Sequence, residues 1–258
     1  MRTRRRTAIK ALLAAAMAVG AVLVAWSVWT MLGDRAECES YEELAETASP
    51  LLEEQQGSDD SWEDVQGISD AVCAWLRVDG TSVDLPVVAA TEERPDWYLK
   101  HDLWGNWTEI GNPYMDWRCE PDSSAVVVYG HHTSYSNYMF HDLAECFRQE
   151  RLDALGELTW STPAGATETY EPLCSSKVQT TDGTWQRYGD MAREDLRKWL
   201  VEALPSADAK AASAEWMAEH ADRAIVLVTC SGYQTYGKSW RTVTVFVQAA
   251  EEKETGNE

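Results

Sequence analysis

The sequence predicts a mainly β protein, a barrel or sandwich of about eight short strands, with N-terminal helices and a helical insertion before the penultimate strand. Three observations carry this. From Trp75 onward, short β-branched and aromatic runs alternate with turn residues. The last two runs differ in period: "IVLVTC" (225–230) is apolar nearly throughout, whereas "RTVTVFVQ" (241–248) alternates. Upstream, the 22 residues from Ala11 to Leu32 carry no charge.

Taken in order, the chain opens with "MRTRRR", a basic tail over 1–10, before the uncharged run 11–32. A helix of that length crosses a hydrocarbon core of roughly 30 Å, and a cleaved signal has a shorter apolar region. We read an uncleaved transmembrane anchor. Arg2, Arg4, Arg5 and Arg6 place its start in the cytoplasm and everything beyond about Gly33 outside the cell. The stretch 33–67 reads as an acidic helical spacer. "CESYEELAETASPLLEEQQ" has helical composition, "GSDDS" breaks it, and "WEDVQGISDAVCAWL" restarts a short amphipathic helix.

The barrel is expected within 68–249. "AWLRV" and "VDLPVV" flank "DGTS", the signal of a hairpin. "NPYMDW", "AVVVYG", "ELTWST" and "TETYEPL" follow as short strands. In "MAREDLRKWLVEAL", Leu196, Trp199, Leu200 and Ala203 form one helical stripe, and "ADAKAASAEWMAEHADRA" reads as a second helix. "IVLVT" suits a strand covered on both faces. In the final strand Arg241, Val243, Val245 and Val247 share one face, opposite Thr242, Thr244, Phe246 and Gln248. Trp97, Trp104, Trp107 and Trp117 are expected to cover a barrel end. The tail 250–258 reads as disordered.

The formal charge of −21 belongs mainly to the exported part and disfavours nucleic acid, itself a polyanion, as a partner. The six cysteines include no C-x-x-C pair, so zinc-ribbon and thioredoxin-like readings have no support. Outside a membrane disulfides persist, so three bridges, or two with a free thiol and an orphan, are both open.

The chemistry concentrates at strand ends. Cys230 ends a buried strand and precedes the polar loop "SGYQTYGKSW"; His131 ends "AVVVYG"; Arg241 opens the last strand. A nucleophilic thiol needs a proton acceptor or imidazolium partner, and attack on an amide needs a donor for the oxyanion. Adjacent side chains on extended backbone point to opposite faces, so His131 and His132 do not both reach Cys230. For the same reason they make a poor metal pair, and no Cys or acid at helpful spacing accompanies them.

These residues resemble the sortase family, and its class B branch in particular, from about Ile68 to Gln248. "AWLRVDGTSVDLPVV" is similar to the family's opening strand pair, and "WYLKHDLWGNWTEIGNPYMDWR" to the class B segment ending in D-x-R. "YGHH" with "MF" eight residues later resembles the catalytic histidine strand and its following helix, with Met139 and Phe140 as core anchors. "LVTCSGYQTYGKSWRTVTV" matches the "T-C…R" signature. Val228 stands where the family commonly has serine, and Ser231 and Gly232 where class B often has an acid.

The resemblance implies His131 as catalytic histidine, Cys230 as nucleophile and Arg241 as the oxyanion and positioning arginine. Tyr129, Thr229 and Ser231 would line the substrate. It further implies a closed, mixed β-barrel of about eight strands, and a membrane-anchored cysteine transpeptidase that needs no cofactor and no metal. Such an enzyme cleaves a C-terminal sorting peptide of exported proteins and passes the acyl group to a peptidoglycan-precursor or pilin amine. Two other classes are weighed: a secreted cysteine peptidase or wall amidase, and a non-enzymatic surface-binding module with paired cysteines. The order His131 before Cys230 runs against papain-like and wall-amidase chains.

Overall fold

The computed structural model describes residues 2–54, 62, 65, 67, 69–132, 137–163, 167–231 and 239–249. The chain forms two compact units, 1–43 and 44–258. Helix α1 (Arg2–Glu54) makes up the first and extends into the sequence of the second. Its apolar side chains stand out from the helix: Leu12, Met17, Leu23, Trp26, Trp29 and Leu32 are all exposed. The helix is long and apolar enough to cross a membrane, a test that a signal sequence also passes. "GSDDS" at 57–61 and the tail 250–258 lie outside the described residues.

The second unit holds a single sheet of nine strands: β1 (Val72–Val78), β2 (Asp84–Ala89), β3 (Tyr114–Met115), β4 (Ala125–Tyr129), β5 (Leu158–Ser161), β6 (Thr167–Gln179), β7 (Ala209–Lys210), β8 (Ala221–Cys230) and β9 (Trp240–Ala249). Pairing runs β5-β1-β2-β3-β4-β8-β9-β6, and β6 returns to β5, so eight strands close into a barrel. β7 lies beside β6 outside the ring. Two pairs, β2–β3 and β4–β8, are parallel and the others antiparallel, which makes the barrel mixed as expected. Closure removes the unpaired strand edges that invite association with other chains. A single helical turn, α2 (Gln149–Leu152), precedes β5.

Burial follows the sequence pattern. Ile225 to Thr229 are buried, as their apolar run requires. On β9, Val243, Val245 and Val247 join Val226 and Val228 in packing against two helices, α3 (Arg193–Ala203) and α4 (Ala214–His220). α3 buries the predicted stripe Leu196, Trp199, Leu200 and Ala203. The opposite face of β9 is also buried, through Thr242, Thr244 and Phe246.

Three expectations are corrected. The helix read over 207–224 shrinks to Ala214–His220: Ala209–Lys210 pairs with β6, and Ala221 already pairs with Ala249. Alanine-rich composition favours helix, but strand β8 extends through Ala221 because β9 offers it partners along its full length. The helix read over 62–76 gives way to β1 from Val72. The helix expected after His131 is a run of turns over 139–147, and Met139 there has φ +57°. Met139 and Phe140 are nonetheless fully buried. Trp104, Trp107 and Trp117 are 47%, 65% and 39% exposed.

Candidate active site

Strand register explains why three residues distant in sequence meet. β4 and β8 run parallel with Tyr129 opposite Val228. Their carboxyl ends therefore lie on one rim, and the Gly130 amide extends the ladder by donating to the Val228 carbonyl at 3.0 Å. His131 and Cys230 each stand two residues beyond that pair, on the face of Tyr129 and Val228 by the period of two. Across the antiparallel β8–β9 pair, Arg241 is the register partner of Cys230. Paired residues project to the same face. All three side chains line one cavity of about 430 Å³, together with Tyr129, Thr229, Tyr114, Asp96, Leu99, Thr180 and Gln186.

The histidine strand end is fixed from two sides. Gly130 carries the ring of Phe140: a Cβ there would lie 2.5 Å from that ring. The Phe140 amide in turn donates to the His131 carbonyl at 3.0 Å. Gly111, at φ +64°, packs beside the imidazole; a Cβ there would lie 2.5 Å from the Tyr98 carbonyl and 3.1 Å from His131 Cδ2. The His131 Nε2 is 2.7 Å from the carbonyl oxygen of Leu99. A carbonyl only accepts, so Nε2 carries the proton and Nδ1 of the neutral ring is the basic nitrogen. Burial pulls the His131 pKa below its usual value, against the raising effect of the Leu99 hydrogen bond. The ring is accordingly neutral at pH 7, the state in which it accepts a proton.

His132 does not line the cavity; its ring packs on His141 with centroids 5.1 Å apart. His101 and His220 stack on Trp97 and Trp216 respectively, each with Nδ1 at 2.8 Å from that tryptophan's carbonyl. Among the described residues there is no group of three or more metal-ligating side chains.

The five cysteines of the second unit are all free thiols. Burial pushes Cys73 and Cys146 up to about 12 and raises Cys119 and Cys174 as well. A thiol held protonated is a poor nucleophile. Cys230 alone of the five lines the cavity. Arg241 has one hydrogen bond among the described residues, Nη1 to the Trp240 carbonyl at 3.2 Å, which leaves other donors for an oxyanion.

Of the remaining sequence-predicted residues, Tyr129 and Thr229 line the cavity and Ser231 does not. Ser231 is buried, its amide donating to the Trp240 carbonyl at 3.2 Å. Sequence reasoning missed Asp96, Leu99, Tyr114, Thr180 and Gln186. They come from loops, from the single 3-10 turn Trp97–Leu99 and from a two-residue strand, where no periodicity marks a facing direction. "SGYQTYGKSW" lies outside the described residues from 232 to 238, as does 133–136 after His132.

No family model matches the sequence. One curated relative, sortase B of Staphylococcus aureus (strain NCTC 8325 / PS 47), is 27% identical over 125 residues, 47% of this chain. The matched stretch spans half the length of that relative, 50%. Among solved structures, the Staphylococcus aureus sortase B–substrate complex superposes with a TM-score of 0.70 at 22% identity, covering 84% of this chain and 97% of that one. The chain is similar in sequence to sortase B over about half its length, and its fold is that of sortase B. A sortase B complexed with triglycine gives 0.69 at 22%, covering 83% and 97%. A mutant form of Clostridium perfringens sortase B gives 0.67 at 24%, covering 82% and 97%. The eight-stranded barrel is thus the sortase barrel. The free thiols also remove the basis of a surface module knit by disulfides.

Proposed function

We propose that this sortase relative is a cysteine transpeptidase acting on sorting peptides of exported proteins. The observation that carries the reading is the convergence of His131, Cys230 and Arg241 on one cavity from adjacent strands. The S. aureus relative has been captured with substrate, which supports a peptide in the corresponding cavity here.

In the first step the Cys230 thiol gives its proton to His131 Nδ1 as sulfur attacks the scissile carbonyl carbon. The tetrahedral oxyanion receives hydrogen bonds from the Arg241 guanidinium, whose planar fork holds two acceptors at once. Collapse breaks the C–N bond, His131 protonates the leaving amine, and a thioacyl enzyme remains. In the second step an incoming amine loses a proton to His131 and attacks the thioester, and Cys230 leaves as the thiol. The sortase B bound to triglycine supports an amine acceptor, from a wall precursor or a pilin lysine. Tyr129 and Thr229 form part of the peptide-binding wall, with Ser231 supporting the strand end.

The apolar helix over 11–32 anchors the chain with its basic tail in the cytoplasm, and the catalytic domain 68–249 works outside the cell. The test is incubation with a panel of sorting peptides and mass spectrometry of the enzyme. A thioacyl adduct on Cys230, released by an added amine, is expected; absence of an adduct with every peptide would reject the reading.

A further inference from the structure

Behind the cavity wall lies a polar network that the reaction above does not use. Asp116, one residue past β3, is 5% exposed. Its carboxylate accepts from Arg118 Nε at 2.7 Å and Nη2 at 2.8 Å, from the Arg118 amide at 3.1 Å, and from the Tyr129 hydroxyl at 3.3 Å. The hydroxyls of Tyr129 and Tyr188 are 3.3 Å apart, and the Arg118 guanidinium lies 3.4 Å from the centre of the Tyr188 ring. Tyr114 stacks on the other side of Tyr129, centroids 5.3 Å apart.

Asp116, Arg118 and Tyr188 do not line the cavity, but what they hold does. Tyr129 is one wall. Tyr188 belongs to the segment that follows β6, and that segment supplies Thr180 and Gln186 to the facing wall. A buried carboxylate with its bidentate arginine contributes little to stability compared with an apolar replacement. Its directional bonds instead fix where two aromatic rings stand.

We propose that Asp116 is a positioning residue for the transpeptidation, locking Tyr129 and, through Tyr188, the Thr180–Gln186 segment into the shape that receives the peptide. This rests on the functional reading above. The network joins both walls at one point, so its loss loosens peptide binding more than it slows the chemistry at Cys230.

The test uses the full chain in detergent, a peptide that forms the thioacyl adduct, and the variants Asp116→Asn, Tyr129→Phe and the double variant. Asp116→Asn is expected to raise KM about tenfold, the order set by loss of a hydrogen bond to a charged group, with kcat within a few-fold of the parent. Tyr129→Phe should raise KM similarly, and the double variant should be no worse than the worse single, because both break one connection. An unchanged KM in Asp116→Asn, or effects that multiply in the double variant, overturns the positioning role while the parent's adduct preserves the functional reading. No adduct with the parent overturns that reading and the positioning role with it. Should Asp116→Asn fail to fold, Tyr129→Phe and Tyr188→Phe decide the matter in the same way, since each removes one hydroxyl and keeps its ring.

Discussion

Cys230, His131 and Arg241 differ in what each can be asked. Cys230→Ala should abolish adduct formation and peptide cleavage while leaving the unfolding midpoint near that of the parent, because a single sulfur is removed from a half-buried site. His131→Ala should do the same, whereas His132→Ala, whose ring packs on His141 away from the cavity, should retain most activity. Reversal of the two histidine results would place the wrong ring in the cavity. For Arg241, lysine keeps the charge but not the planar fork. Arg241→Lys should lose roughly 10²–10³ in turnover, the cost of one well-placed oxyanion donor, and steady-state kinetics within a few-fold of the parent would exclude the role. The His131 ring has a pKa lowered by burial, so in NMR titration it should titrate below the usual value of about 6.5. The sign for stability follows. As pH falls below about 6.5 the unfolded chain takes up this proton first, so stability declines between that pH and the folded-state value, with no contribution to the slope outside that window. His131→Gln should flatten this part of a urea-midpoint-versus-pH curve.

Among elements, the β4 end depends on close approach. The Gly130 position has the Phe140 ring where a Cβ would sit, 2.5 Å away. Gly130→Ala must displace that ring, and overpacking of this kind costs about 1–3 kcal/mol. Urea denaturation should show that loss, and Phe140→Leu in the same background should recover part of it. If Gly130→Ala were as stable as the parent, the packing that fixes the His131 backbone would be looser than the geometry indicates. The strands themselves were readable where residue choice met burial on both faces, as in Ile225–Thr229, and the α3 stripe was readable by its period. β3 was readable as a strand within "NPYMDW", but its two residues carry no period to say which of them faces the cavity. The division of 207–224 into β7, α4 and the start of β8 was not readable. Alanine fits all three states, and only the partner strands β6 and β9 decide among them.

For the molecule as a whole, the proposed anchor bears on location and the barrel on chemistry. The full chain should sediment with membranes, resist extraction by high salt and dissolve in detergent, with its catalytic domain open to protease from outside. A mature protein beginning near Ala25 in the medium would show that the apolar helix is a cleaved signal. Residue pattern alone marked the uncharged 22-residue run, the mainly β class and the three residues proposed to react. Each of these is written locally: in absence of charge, in the period of burial, and in rare residue types at strand ends. Tertiary structure decided which groups surround them. The parallel register of β4 with β8 brought His131 level with Cys230, and the Leu99 carbonyl selected the protonated nitrogen of the ring. Burial set Cys73, Cys119, Cys146 and Cys174 apart from Cys230, the one among them that lines the cavity. The link from Asp116 through Tyr129 to Tyr188 spans 72 residues, Asp116 to Tyr188, and exists only because β3, β4 and the segment after β6 meet at one edge of the cavity. Such contacts depend on distances between loops, and no local pattern of residues encodes those distances.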